Sequence, residues 1–231
     1  MDPSFVNYRQ DQLSLEELLD CTFVDLGVDT EHAQAAEAFL APLKAKGGPY
    51  YYTFLHCIRV GLLGKAVAEF MHLSRRTMFF AGVLHDVGKL QVPATTLGKT
   101  QGWTEEDTRL VRRHVMDGYR MLAGRFDFTA EVLLWHHRFQ SAGYPKTILA
   151  PLHEYCLGTK VLIPMLGRIL SLCDVYDALH RINDKHGEKR APTGEEIKEL
   201  MLKFNQDQKQ LVEDLYTAGV FTTYTQVPTT A

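Results

Sequence analysis

None of the four cysteines, Cys21, Cys57, Cys156 and Cys173, belongs to a Cys-x-x-Cys pair. That argues against a zinc knuckle or a redox dithiol and leaves small, reduced residues. Positive charge is not in excess either: 25 Lys and Arg against 28 Asp and Glu leave a net charge of -3. Bulk attraction to polymeric nucleic acid or to an anionic membrane is therefore not expected, and a phosphate-bearing ligand needs a local positive site. Long apolar runs are missing too. The most apolar segment, Val161 to Leu172, is interrupted by Pro164, Gly167 and Arg168 and is too short for a bilayer. The stretch Met1-Asp2-Pro3-Ser4-Phe5 is not a basic region followed by an apolar one, so no secretory leader is read and a cytoplasmic location is expected. Strand-like alternation, internal repeats and low-complexity tracts are also lacking, which points to an all-α fold.

What is present is an ordinary globular composition, 45% hydrophobic and 23% charged over 231 residues, enough for one sizeable core. Residues 1–48 read as a short helical extension, 49–222 as the main domain and 223–231 as a tail. Ser14-Leu15-Glu16-Glu17 has the form of a capping box, and Asp29 or Thr30 caps a second helix. This extension carries no chemistry and reads as a packing or dimerising appendage; a homodimer is one expectation. Gly47-Gly48-Pro49 breaks the chain. A long helix follows over Tyr50 to Met71, with Phe54, Ile58, Leu62, Ala66 and Phe70 at steps of four. Ser74 caps the next helix, and a Pro- and Thr-rich loop runs from Leu90 to Trp103. One helix is predicted from Thr104 through Leu122 and another from about Thr129 into His136-His137. A loop over Lys146 to Lys160 precedes a helix opened by Pro164. Two more helices, from Thr193 and from Gln208, close the domain.

The chemistry gathers around Ala81-Gly82-Val83-Leu84-His85-Asp86-Val87-Gly88-Lys89. A histidine offers a borderline nitrogen ligand and an aspartate an oxygen able to bridge two cations. Gly88 is read as permitting a tight exit from the helix, and Lys89 places positive charge beside a docked anion. A lone His-Asp pair is common by chance. Here it stands in a series: His56, His85, Asp86, His114, His136, His137, Asp174. Apart from the adjacent pairs His85-Asp86 and His136-His137, about one helix and its connection separate successive members, so the five positions come from five helices, as a bundle needs to converge them. Five histidines and two aspartates suffice for two cations sharing a carboxylate. Nitrogen and oxygen without thiolate favour iron or manganese, with zinc, nickel or cobalt admissible. His72, His153, His180 and His186 lack this context and read as surface or locally bonded residues, and His32 as a solvated one.

At these residues the chain resembles the HD-domain metal-dependent phosphohydrolases, and more narrowly their HD-GYP branch. His85-Asp86-Val87-Gly88-Lys89 matches the HD-x-GK motif, and His114-Val115-Met116-Asp117-Gly118 the following His-x-x-x-Gly helix. His136-His137 and Gly143-Tyr144-Pro145 match the His-His and GYP elements, and Asp174-Val175-Tyr176-Asp177-Ala178-Leu179 the last aspartate's helix. The resemblance implies a helical bundle and hydrolysis of cyclic di-GMP or a related cyclic dinucleotide by water shared between two cations. It implies that His56, His85, Asp86 and Asp174 hold one metal, that Asp86, His114, His136 and His137 hold the other, and that Lys89 contacts the substrate phosphate. Asp86 and Lys89 are then the catalytic residues, and Tyr144 joins the substrate contacts.

Three departures stand out. Arg138-Phe139-Gln140-Ser141-Ala142 replaces the family's Glu after the paired histidines and its Asp-Gly before the turn. Tyr52 stands where members with a third metal carry Glu, so two metals are expected. The basic Arg-Pro-Tyr-Arg segment after the last aspartate is missing, and Arg181, Lys185, Lys189 or Arg190 are the expected replacements. Two other readings use the same ligands: a mixed-valent di-iron oxygenase, and a cyclic-dinucleotide sensor without turnover.

Overall fold

The computed structural model describes residues 14–140, 142–180 and 192–221. Arg181, Lys185, His186, Lys189 and Arg190 lie outside them. Every regular element among the described residues is helical, as the missing alternation required. None of these helices is long and apolar enough to cross a membrane.

The first two helices start where the caps predicted. Ser14 and Glu17 close a reciprocal capping box on α1 (Leu15–Asp25), and the Asp29 carboxylate accepts from the His32 amide at the head of α2 (Thr30–Lys46). Gly47, at φ 64°, turns the chain into α3 (Gly48–Phe70). α3 is buried around most of its circumference and threads between two apolar clusters. Its Phe54, Cys57, Ile58 and Leu62 pack with Leu40 and Leu43 of α2 and with Phe79 and Leu84 of α4 (Arg75–Leu84). Its Val60, Leu63 and Val67 pack with Leu170, Cys173 and Tyr176 of α9 (Leu157–Leu179) and with Met201 and Leu215 further on. Burying each large side chain of this kind contributes about 1.5–3 kcal/mol. Where α3 and α4 cross, a Cβ on Gly82 would lie 2.5 Å from the Gly61 Cα, so the backbones meet closely only because both positions lack a side chain. That contact holds His56 of α3 beside His85 at the end of α4.

Four local expectations need correction. The Leu90–Trp103 loop contains structure: a 3-10 turn (Val87–Gln91) leads to a single helical turn, α5 (Ala94–Leu97). The helix expected over Thr104 to Leu122 is two helices, α6 (Glu105–Arg112) and α7 (His114–Leu122), parted at Arg113. α8 (Asp127–Leu133) starts earlier than expected and stops before the paired histidines, which sit in the turn that follows. Pro164 does not open α9 but lies inside it. The turn before it is solvent-exposed at Lys160, so water can satisfy the carbonyl that loses its partner. α10 (Gly194–Phe204), under a Thr193–Glu196 capping box, and α11 (Lys209–Thr217) complete the second cluster as expected.

Candidate metal centre

Three of the histidines turn on the same local device. His85, His114 and His136 each place Nδ1 against the backbone carbonyl three residues earlier: Gly82 at 2.7 Å, Val111 at 2.6 Å, and Leu133. A carbonyl only accepts, so each Nδ1 carries the hydrogen and each Nε2 is left as the free ligand atom. The same bond draws on a carbonyl of the helical ladder, and it coincides with the end of α4, the break between α6 and α7, and the end of α8. His56 does the equivalent with a side chain. Its Nδ1 donates to Asp177 at 2.6 Å, and Asp177 also accepts from Arg59 at 2.6 and 3.0 Å.

The free nitrogens converge. His56 Nε2 lies 3.4 Å from Asp86 Oδ2 and 3.1 Å from Asp174 Oδ1, and His85 Nε2 lies 3.3 Å from Asp86 Oδ2. His114 Nε2 lies 3.2 Å from the other Asp86 oxygen, Oδ1, and 3.5 Å from His136 Nε2. Three overlapping groups have ligand atoms within 4.8 Å of one another: His56, His85 and Asp86; His85, His136 and Asp174; and His114, His136 and His137. All seven residues singled out in the sequence thus stand together, from fully buried His114 to His137 at 9% exposure. Gly88 matters for a reason other than the one expected. Its φ is not in the left-handed region, but a Cβ there would lie 2.0 Å from the His114 carbonyl oxygen. The bare Cα lets the turn after Asp86 dock on the start of α7, and so brings His114 to the Asp86 carboxylate.

The electrostatics favour a cation. Burial depresses His114 to about 4 and His136 to about 3, and holds His137 well below its ordinary value. Burial would lower His85 as well, but the Asp86 and Asp174 carboxylates outweigh it and hold its pKa well above the usual. Burial would raise Asp86, yet His85, Lys89 and His114 keep it well below the usual carboxylate range. Asp174 is held low likewise, by His56 and His85 against its burial. His114 and His136 are therefore neutral near pH 7 and face each other with bare lone pairs. Asp86 Oδ1 joins them, buried and without a hydrogen bond. Three acceptors meet with no donor among them, an arrangement costly for protein alone and satisfied by a metal ion. The nitrogen and oxygen donors suit a first-row divalent cation.

The remaining expected residues form the wall above the cluster. The Lys89 ammonium rests on Asp86 Oδ2. The Tyr144 ring stacks on His137 with centroids 4.6 Å apart, under the Arg112 guanidinium at 5.3 Å, and burial pushes its phenol up. His56, Lys89, His114, His137, Tyr144 and Asp174 line one cavity of about 610 Å³. Residues not foreseen are Asp177, Arg59, Gln140 and Arg138. Gln140 sets its amide 2.9 Å from His137 Nδ1. Arg138 donates through Nη1 to the carbonyls of Pro145 and, at 2.8 Å, Lys146. For Asp177 the signal was its place three residues after Asp174 on a helix, which puts both on one face. For Arg138 nothing in the sequence points to the carbonyls it meets.

A family model described as HD domain matches residues 53–179. The chain is 36% identical over 135 residues to a cyclic di-GMP phosphodiesterase of Pseudomonas aeruginosa, a match covering 55% of this chain and 30% of that one. It is 31% identical over 135 residues to a cyclic di-GMP phosphodiesterase of Thermotoga maritima, covering 55% and 34%. It is 27% identical over 143 residues to 3'3'-cGAMP-specific phosphodiesterase 1 of Vibrio cholerae, covering 59% and 31%. The matches thus span about a third of the length of these curated relatives. Among solved structures, the HD domain of the Listeria monocytogenes phosphodiesterase PgpH superposes with a TM-score of 0.51 at 15% identity, over 82% of this chain and 94% of that one, which speaks to the fold.

Proposed function

The chain belongs to the HD-domain family, on its HD-GYP branch, and from that membership we propose that it is a metal-dependent phosphodiesterase acting on cyclic di-GMP or a related cyclic dinucleotide. The observation that carries the proposal is the meeting of His114 Nε2, His136 Nε2 and the unpartnered, buried Asp86 Oδ1 beside a cavity lined by His114 and Lys89. His56, His85, Asp86 and Asp174 would hold one cation and Asp86, His114, His136 and His137 a second, with iron or manganese best suited to these donors. When bound, the two cations supply an activated water and neutralise charge on the phosphate.

The chain's own residues do the rest. The two oxygens of Asp86 face different histidines, Oδ2 towards His56 and His85 and Oδ1 towards His114, so one carboxylate sets the spacing of the pair. Lys89 adds positive charge where the nonbridging phosphate oxygens gather, in a site largely shielded from water. Tyr144 stays protonated and offers a donor at the cavity wall. The water oxygen bonds to phosphorus and gives up a proton, the bond from phosphorus to the ribose 3'-oxygen breaks, and that oxygen takes up one proton as it leaves, so the protons balance. A redox role or a sensor without turnover uses the same ligands. The curated relatives named as cyclic-dinucleotide phosphodiesterases favour hydrolysis.

The test is to load the protein with iron or manganese anaerobically, supply cyclic di-GMP, and follow the linear dinucleotide by phosphorus NMR. Wild type should convert it, and Asp86→Ala should lose bound metal and turnover together. Full turnover by Asp86→Ala, or intact substrate with fully loaded wild type, would overturn the proposal.

A further inference from the structure

The cavity over the metal centre extends well beyond it. Arg168, Ser171 and Asp174 lie at steps of three on α9, so all three face the same cavity. At a rise of 1.5 Å per residue, Arg168 stands about 9 Å along the helix axis from Asp174. The end of α10 closes this far part with Lys203 and Asn205, and Phe139 flanks it.

Charge distinguishes the far part. Arg168 is only 6% exposed. Asp207 accepts from its Nε at 2.9 Å and its Nη2 at 2.7 Å, and Asn205 accepts from Nη2 at 3.0 Å. These bonds fix the plane of the guanidinium, and the Phe139 ring lies 5.3 Å from its carbon. Its Nη1 is buried with no acceptor. Lys203 lines the same wall with no ion pair among the described residues. Ser171, 2% exposed, adds a hydroxyl between Arg168 and Asp174. Donors thus outnumber acceptors some two helical turns from the cluster, where metal chemistry has no use for them.

We propose that Arg168, Ser171 and Lys203 form a second anion subsite, which takes the phosphodiester that is not being cleaved. It makes the cavity selective for molecules carrying two phosphodiesters on opposite sides of one ring over those carrying one. The proposal rests on the phosphodiesterase reading of the metal cluster. Lys203 is its testable member, because Asp207 balances the charge of Arg168 whereas nothing in the described residues balances that of Lys203. The subsite also places positive charge on α9 and α10, elements distinct from the segment after Asp174 that the sequence suggested.

The experiment compares kcat/KM of the metal-loaded full chain on cyclic di-GMP and on bis(p-nitrophenyl) phosphate, which has a single phosphodiester. In Lys203→Ala the ratio of the two should fall about tenfold, through KM for cyclic di-GMP, as expected for one lost charge-assisted contact. Lys203→Glu should lower it further and Lys203→Arg should restore it. An unchanged ratio in Lys203→Ala and Lys203→Glu overturns the subsite while leaving the phosphodiesterase reading intact. A wild type that cleaves only the single-phosphate diester overturns the subsite and the cyclic-dinucleotide assignment together, leaving only phosphodiester hydrolysis as such. A wild type that cleaves neither diester overturns both.

Discussion

Nδ1 of His56 lies 2.6 Å from the Asp177 carboxylate, and that carboxylate is gripped in turn by Arg59. The bond joins α3 to α9 and leaves only Nε2 of His56 free to face Asp86 and Asp174. A buried ligand histidine needs such a partner to hold its ring and its tautomer. Asp177→Asn keeps an acceptor but removes the charge, and should weaken metal binding about tenfold with the fold retained. Asp177→Ala should weaken it by about 100-fold and lower stability too, since Arg59 loses its carboxylate. Chelator competition alongside thermal melts measures both. Equal metal affinity in wild type and Asp177→Ala would show that the bond does not orient the ring.

Arg138 directly follows the paired histidines, and it holds the carbonyls of Pro145 and Lys146. That clamp keeps Tyr144 stacked on His137. Arg138→Ala should raise KM several-fold and loosen the loop while leaving the metal content unchanged. Arg138→Lys should recover part of the loss, having one donor group in place of the fork. Steady-state kinetics with metal analysis on the same samples would check it. Loss of metal instead of affinity for substrate would contradict a loop-positioning role.

Gly88→Ala inserts a methyl where the His114 carbonyl is 2.0 Å and the Gly118 amide nitrogen 2.4 Å away. Either α7 moves or the turn after Asp86 does. Stability should fall by about 1–3 kcal/mol or more, and metal affinity should fall with it, because His114 moves off Asp86. Gly158→Ala is the control: its nearest neighbour would be the Cys156 Sγ at 4.0 Å, so stability should hold or rise slightly. Denaturant melts of both variants decide it.

Acid should destabilise the metal-free protein. His114 and His136 titrate near 4 and 3 when folded, against about 6.5 unfolded. Between those values the unfolded chain binds more protons, so stability rises with pH and is lost as pH falls. Depressed His137 acts in the same direction. Asp86 and Asp174, also depressed, contribute stability above their unfolded pKa of about 4 that disappears below it. Raised His85 has the opposite sign: its contribution is full below its unfolded pKa and lost as pH rises through its folded one. The three lowered imidazoles outnumber it. The Tm of metal-free protein should drop from pH 7 to pH 5, and the gain in Tm from added cation should shrink over the same range as protons compete for ligands. A metal-free Tm that climbs on acidification would refute this balance.

Much of this was readable from residue order alone. Apolar steps of three and four, with caps at Ser14, Asp29, Ser74, Thr104 and Thr193, mark the helices because those signals are local. The seven candidate ligand residues were legible because their types and order are unusual together. The helix breaks at Arg113 and Leu134 were not. They coincide with bonds from His114 and His136 to carbonyls three residues back, and nothing in a residue's identity says that its ring will turn that way. Gly88 was noticed for the wrong physical reason: closeness to another segment, not backbone freedom, makes a side chain intolerable there.

Sequence alone determined that this chain is helical, which residues can ligate a cation, and which family it resembles, since periodicity, side-chain chemistry and motif order are properties of the residues themselves. Only the folded structure decided that Asp86 turns its two oxygens to different histidines, that Asp177 rather than a backbone group steers His56, and that Arg168 and Lys203 share a cavity with Lys89. Those are relations between segments far apart in the chain, set by how closely glycine-bearing helices can approach, and no local pattern encodes them.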